Sequence, residues 1–323
     1  MPYEIRIHRT GGPEVMQWEE APAPKPGKGE ALIRQTVVGL NYIDTYQRSG
    51  LYKVDLPGCI GMEATGVVEA VGEGVTEVKP GDRVGYVMGR PGAYAEMRTY
   101  PAWRLIPLPD DVSDETAAAA MLKGLTVAYL TKRTFKVEKG QTVLLHAAAG
   151  GVGLIACQWL NRMGVTVIGT AGSDEKAALA RAHGCHHTIV YTREDFTSRV
   201  KELTDGKGVP VVYDAVGADT FRGSLDCLAP FGTFVSFGNA SGPIAGFNPA
   251  ELSAKGSLYF TRPGLHTHTM TRPLTLELAD WLFEAIRGGV KIEINQRYAL
   301  KDAAQAHADL EGRKTTGSTV FTV

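Results

Sequence analysis

The chain lacks a charge of either sign to set its partners. Its 34 lysines and arginines are balanced by 35 aspartates and glutamates, leaving −1 over 323 residues. No broad attraction to nucleic acid or to an anionic membrane follows from such a balance, and neither partner is expected. Long apolar runs are also missing; none approaches the roughly 18–20 residues of a membrane-spanning helix. The opening "MPYEIRIHRTGGPEVMQW" has no apolar core of a signal peptide, so the chain is expected in the cytoplasm. Cysteine is scarce: four residues, at 59, 157, 185 and 227, with no C-x-x-C pair. A disulfide framework is therefore not expected, and Cys157 and Cys227, set in apolar helical patterns, read as core.

What remains is a globular composition, 44% hydrophobic and 21% charged, long enough for two domains or one large one. Residues 1–120 carry short glycine-bounded strands such as "EALIRQTVVGL", "ATGVVEAVGEGV" and "GDRVGYVM". From 114 the text turns alanine-rich and helical, "DETAAAAMLKGLTVAYLTKRT". From 141 strands and helices alternate: "QTVLLHA", a helix from Gly151, "VTVIGTA", "DEKAALARAHG", "HTIVY", "REDFTSRVKELT", "VPVVYDAV", "DTFRGSLDCLA", "GTFVSFG" and "GSLYFTR". That alternation predicts an α/β doubly wound parallel sheet with right-handed crossovers. After about 265 come one helix, "LTLELADWLFEAIRGG", and a final strand, "GSTVFTV".

The stretch "LLHAAAGGVGLIACQWL" (144–160) joins a buried strand to an apolar helix through a glycine cluster. Aligned on its last glycine, the dinucleotide fingerprint G-x-G-x-x-G falls on Ala148, Gly150 and Gly153. Gly150 lets a pyrophosphate approach the backbone, Gly153 lets the helix pack on the strand, and the helix start offers free N–H groups to phosphate. Alanine at the first position is tolerable provided that turn keeps a negative φ. An NAD site carries an acid at the tip of the second strand to hold the ribose 2′-hydroxyl. Here the tip is Ala171-Gly172-Ser173, with Lys176 three residues on, and a hydroxyl and a cation suit the 2′-phosphate of NADPH. Asp174 and Glu175 count against that choice unless they serve only the helix start. Tyr191, ending the third strand, is placed to flank the adenosine.

Several segments together carry a family resemblance: "GLNYIDTYQRSGLY", "GMEATGVVEAVGEGV", "LKGLTVAYL", "HAAAGGVG", "YDAVG", "VSFGNASG" and "GSLYFTRP". On them the chain resembles the zinc-free NADPH:quinone oxidoreductases related to zeta-crystallin, in the medium-chain dehydrogenase/reductase superfamily. The resemblance implies a GroES-like β-barrel catalytic domain from 1–122 and 265–323, and a Rossmann NADPH-binding domain over 123–264 with the active-site cleft between them. It also implies a quinone as substrate and a homodimer. The zinc enzymes of the superfamily place a ligand cysteine where this chain has Asn41 and a ligand histidine where it has Met62, so no metal is expected.

Carried over by position, Asn41, Thr126 and Phe237 line the nicotinamide end, and Gly150, Gly151 and Val152 hold the pyrophosphate. Ser173, Lys176 and Tyr191 hold the adenosine phosphate. Asn239, Arg262 and Asp44 are further cofactor contacts, and Arg313 a looser candidate for the 2′-phosphate. Asn41, Tyr46 and Tyr52 are the catalytic candidates. The two tyrosines either donate to a developing quinol oxygen or pack with wet hydroxyls. Glu63 reads as a buried structural carboxylate, and Cys185-His186-His187 as a strand entry whose side chains alternate between faces. Reduction of α,β-unsaturated carbonyls, and a non-catalytic NADPH- or RNA-binding role, are the competing functions.

Overall fold

A computed structural model describes every residue from Met1 to Val323, and it divides into two compact units. The first comprises Met1–Leu125, His268–Ile286 and Ile292–Val323; the second comprises Thr126–Thr267 and Arg287–Lys291.

The first unit opens with β1 (Tyr3–Ile7), β2 (Met16–Glu20) and the long β3 (Glu30–Leu40), which feeds α1 (Tyr42–Ser49). It continues through β4 (Gly58–Cys59), β5 (Glu63–Val71), β6 (Arg83–Val87), β7 (Met97–Pro101) and β8 (Ile106–Pro107) to α2 (Asp114–Tyr129). The second unit alternates β9 (Thr142–Leu145), α3 (Gly151–Arg162), β10 (Thr166–Ala171), α4 (Asp174–Ala182), β11 (His187–Val190), α5 (Phe196–Leu203), β12 (Val209–Asp214), α6 (Phe221–Asp226), β13 (Leu228–Ser236), α7 (Ala250–Ala254), β14 (Tyr259–Thr261) and α8 (Leu265–His268). The chain then passes through α9 (Arg272–Arg287), β15 (Ile294–Ala299), α10 (Ala303–Glu311) and β16 (Ser318–Thr322).

In the first unit, β3 alternates buried and half-exposed positions along most of its length, so Ala31 and Ile33 point into the core with Tyr86, Tyr94, Tyr100 and Phe321. Its sheet runs β15-β16-β3-β5-β6-β8, with β7 also on β3, beside a small β2-β1-β4 sheet. The last strand, β16, lies antiparallel on β3, Phe321 opposite Val38. Both ends of the sequence therefore meet in one barrel-like sheet.

The second unit is a single parallel sheet in the order β11-β10-β9-β12-β13-β14. Numbered within the unit this is 3-2-1-4-5-6, the order in which ligands bind outside the carboxyl ends where it reverses, here between β9 and β12. Its strands are buried on both faces; Val143, Leu144, Val211, Val212, Phe234 and Val235 are fully covered.

One detail corrects the sequence reading of the glycine loop. Ala148 keeps ordinary backbone geometry, and the left-handed residue is its neighbour Ala147, with φ 55. Ala148 is fully buried, and its methyl is accommodated because β10 carries glycine opposite it. A Cβ at Gly169 would fall 2.6 Å from that of Ala148. At Gly153 a Cβ would lie 2.3 Å from the Ala147 carbonyl oxygen and 2.6 Å from the Ala148 carbonyl carbon, inside backbone that has nowhere to move.

Two opposite stability changes follow. Gly153→Ala forces backbone apart and is expected to cost about 2 kcal/mol or more. Ala147→Gly relieves a left-handed alanine and is expected to add up to about 1 kcal/mol. Urea unfolding of both variants checks the pair of signs.

Candidate active site

In the second unit, the residues at the carboxyl ends of the strands form a row of close backbone approaches. Gly150 caps α3 with extended geometry, φ −78 and ψ 173. The first-turn N–H groups that follow, Gly151 to Gly153, have no acceptor inside the helix and face outward at its positive end. Gly150 and Gly151 are half-buried, so the helix start is open to a ligand. The loop is held from behind: the Ala148 N–H donates to the Thr170 carbonyl at 2.9 Å, and His146 joins Thr170 Oγ1 at 3.0 Å and Ser224 Oγ at 2.8 Å. Burial pulls the His146 pKa down, so the ring is a neutral strut.

Beyond β12, Asp214 organises the next turn. Its Oδ1 accepts from the Val216 and Gly217 N–H groups at 2.6 and 2.9 Å, and its Oδ2 from the Thr220 hydroxyl at 2.6 Å. The loop after β13 nests against this turn, since a Cβ at Gly238 would fall 2.3 Å from the Ala215 carbonyl oxygen. Phe237 and Asn239, on that loop, are half-buried. Arg262 donates to Ser236 Oγ at 2.6 Å and to the Gly238 carbonyl at 2.8 Å, fixing its guanidinium beside them. Thr126 is buried, 6% exposed.

At the end of β10, Ser173 caps α4 and its Oγ accepts the Lys176 N–H at 3.3 Å. Tyr191 lies beside this tip with its ring exposed, and a Cβ at Gly172 would meet its hydroxyl at 2.9 Å. Asp174, the next residue, is gripped by Arg193 through two bonds of 2.6 and 2.7 Å, which hold its carboxyl below the usual range.

The first unit holds the other candidates. Asn41 starts α1; its side-chain amide donates to Glu63 Oε2 at 2.8 Å and its backbone N–H to Asp44 Oδ2 at 2.9 Å. Tyr46 is nearly buried and Tyr52 is 37% exposed, with their rings edge-to-face at 5.2 Å. Met62 is buried and offers only a thioether. Glu63 is fully buried, accepts the Leu122 N–H and stands 3.7 Å from Lys123 Nζ. Burial raises its pKa against the pull of Lys123. Arg313 follows α10 in this unit, exposed and left-handed at φ 58; the Ser173 and Lys176 cluster belongs to the other unit.

Asp44 departs from expectation. Read as a cofactor contact, it is instead 0% exposed and serves a buried chain. Arg48 Nη1 lies 3.1 Å from His307 Nδ1, His307 Nε2 2.9 Å from the Tyr94 oxygen, and that hydroxyl donates to Asp44 Oδ2 at 3.0 Å. Because Arg48 can only donate, Nδ1 accepts and Nε2 carries the hydrogen. Glu311 closes the outer end with two bonds to Arg48 at 2.9 and 2.8 Å. Tyr94 and His307 escaped the sequence reading because they lie 213 positions apart with no local motif between them. Asp214 was visible only inside "YDAVG", as part of the resemblance.

This architecture defines a medium-chain dehydrogenase/reductase: a GroES-like unit drawn from both chain ends, and a Rossmann sheet with its glycine loop at the switch point. Residues 27–110 match the alcohol dehydrogenase GroES-like domain, and 151–272 the zinc-binding dehydrogenase domain. Within that superfamily the chain belongs to the quinone oxidoreductases. It is 53% identical to a quinone oxidoreductase of Pseudomonas aeruginosa over 99% of each chain. Its fold matches that of the Escherichia coli quinone oxidoreductase solved with NADPH, TM-score 0.98 at 46% identity, covering 99% of this chain and 100% of that one. It is also 44% identical to a 2-haloacrylate reductase of a Burkholderia species, over 98% of this chain and 97% of that one.

The buried chain yields a pH prediction. Burial first, then the nearby Glu63, raises the Asp44 pKa from 3.8 to about 7; burial first, then Arg48, lowers that of His307 from 6.5 to about 3. Asp44 alone gives stability at low pH that is lost as pH rises through about 7. His307 alone gives stability at higher pH that is lost as pH falls toward about 3. Between pH 4 and 6.5, folding moves one proton onto Asp44 and one off His307, and the two slopes cancel. Asp44→Asn should uncover the His307 slope, so the variant loses stability relative to wild type as pH falls through this window. Urea midpoints at several pH values read it directly.

Proposed function

We propose that the chain is a zinc-independent, NADPH-dependent quinone reductase acting in the cytoplasm. The observation that carries the cofactor half is the tip of β10, where Ser173 and Lys176 stand in place of an NAD-type acid and Asp174 is engaged by Arg193. The outward N–H groups of Gly151 and Val152 and the open approach at Gly150 fit a pyrophosphate. The quinone half is supported by the full-length similarity to quinone oxidoreductases.

Bound NADPH would supply a hydride. Ser173, Lys176 and Tyr191 would hold its adenosine phosphate, and Arg313 is a looser candidate for the same phosphate. Thr126 and Phe237 would line the nicotinamide side, and Asn239 and Arg262 would make further cofactor contacts. Asn41, committed to Glu63 and to the α1 cap, presents a fixed edge to the acceptor. Tyr46 and Tyr52 are the candidate donors to the acceptor oxygen, and Tyr52, the more exposed, would donate as charge develops. A reduced quinone is a stabilised aromatic alkoxide, so no stronger acid is required. Asn41 and Met62 do not make the cysteine and histidine donor set of a catalytic zinc.

NADPH oxidation should be rapid with small quinones, slow with enals and unaffected by a chelator. Turnover confined to enals would move the substrate class to activated alkenes, and loss of activity on chelation would end the metal-free assignment. We also propose a homodimer through β14, the sheet's edge strand, where Tyr259 is 61% exposed and Phe231 of the neighbouring β13 is 70% exposed. Light scattering at micromolar concentration should report twice the 34.7 kDa of one chain; a monomer contradicts it.

A further inference from the structure

Asp174 poses an electrostatic problem for the NADPH site. It is the first residue of α4, directly after Ser173 and two before Lys176, and its side chain is 66% exposed. A bare carboxylate there would stand among the groups assigned to a doubly charged 2′-phosphate, and like charges so placed disfavour the ligand. Yet the carboxylate is not bare. Arg193, from the turn after β11, meets it with both terminal nitrogens, Nη1 to Oδ2 at 2.6 Å and Nη2 to Oδ1 at 2.7 Å. This fork-to-fork geometry fixes direction as well as charge.

The turn that carries Arg193 is built to hold it there. The Tyr191 N–H donates to the Ala171 carbonyl at 3.2 Å, the Thr192 hydroxyl to the Gly172 carbonyl at 3.4 Å, and the Arg193 N–H to the Val190 carbonyl at 3.0 Å. Two of these bonds end on the tip of β10 itself. Glu194, the acid next along the turn, is occupied: its Oε1 accepts the Val190 N–H at 2.9 Å and its Oε2 lies 3.5 Å from Arg199 Nε.

We propose that Arg193 is a specificity-determining residue for the cofactor. It neutralises Asp174 and turns its carboxylate toward β11, so that Asp174 does not oppose a 2′-phosphate at the Ser173–Lys176 corner. The cofactor contact is made by Ser173 and Lys176; Arg193 acts through Asp174. Asp174 keeps its favourable place at the positive end of α4 without acting as the acid that selects NAD. Of the two acids that count against NADPH in the sequence, the one beside Ser173 is thus silenced by a partner 19 positions away. Glu175, also exposed, has no arginine but takes the Ser173 side chain as its hydrogen-bond partner, which holds its carboxyl below the usual range; a 2′-phosphate competes with it for that hydroxyl, and the preference for NADPH is correspondingly finite.

The inference rests on the NADPH assignment, and a set of binding measurements separates the two. Dissociation constants for NADPH and NADH are read from cofactor fluorescence, without turnover, for wild type, Arg193→Ala, Asp174→Ala and the double variant. Both side chains are more than half exposed, so the variants fold. Arg193→Ala should weaken NADPH about three- to tenfold, less at high salt, and leave NADH within about twofold. The double variant should bind NADPH within about twofold of wild type, because the charge Arg193 was masking is gone. Equal affinity of wild type for the two cofactors would overturn the NADPH assignment itself. A wild type that prefers NADPH beside an Arg193→Ala variant that binds it equally well would overturn the masking role. So would a double variant as weak as Arg193→Ala, which would make Arg193 a direct phosphate contact.

Discussion

The second unit depends on places where no side chain can stand. Gly153 brings α3 against the end of β9; Gly169 makes room for the Ala148 methyl; Gly238 lets the loop after β13 rest on the turn after β12. These approaches lie side by side along the carboxyl edge of the sheet. They bring the start of α3, the Asp214 turn and the Arg262 guanidinium to one edge with main chain, not side chains, as its lining. A dinucleotide is long and densely charged, and a wall of backbone N–H groups is the surface that can follow it closely. The residues that give chemical selectivity are few and sit at the ends of this wall.

The first unit solves a different problem, polar groups taken out of water. Asp44, Arg48, Glu63, Lys123 and His307 are all at most 6% exposed. Glu63 faces Lys123, and Arg48 faces Glu311, which still touches solvent. Asp44 is left over, with Oδ1 unpartnered. A buried carboxylate with one bare oxygen takes up a proton more readily than it holds a charge, which is why the proton count inside this unit, and not the number of its ion pairs, governs its response to pH. The same groups fix α1 at both ends, Asn41 at the start and Arg48 at the finish, and α1 carries Tyr46.

What the sequence made legible was what repeats or stands close together. The alternation from 141 onward predicts the parallel sheet because its central strands, β9, β10 and β12, are buried along nearly their whole length and the helices between them on one face. The strand-loop-helix around Gly150 was legible for the same reason. The left-handed residue of the loop was not legible, since alanine at positive φ leaves no mark in the text; Ala147 and Ala148 look alike until the backbone is seen. The burial of Asp44 was not legible because a carboxylate three residues into a helix is equally suited to capping and to ligand binding. The Arg193–Asp174 and Tyr94–His307 contacts join residues whose separation in sequence carries no period and no motif.

The pairing of β16 with β3, and of Glu311 with Arg48, reaches across almost the whole chain; the second contact spans 263 positions. During synthesis the Rossmann unit, nearly continuous in sequence, emerges complete while the other unit still lacks its closing strand. Domains fold as they emerge, and long-range pairings form last. The order of assembly is thereby written into the topology: the nucleotide-binding sheet is complete before the sheet that carries Asn41 and Tyr46 can close. Until β16 has emerged, β3 presents an unpaired edge along Val37–Leu40, and this is the interval in which a nascent chain of this fold is most exposed to wrong partners.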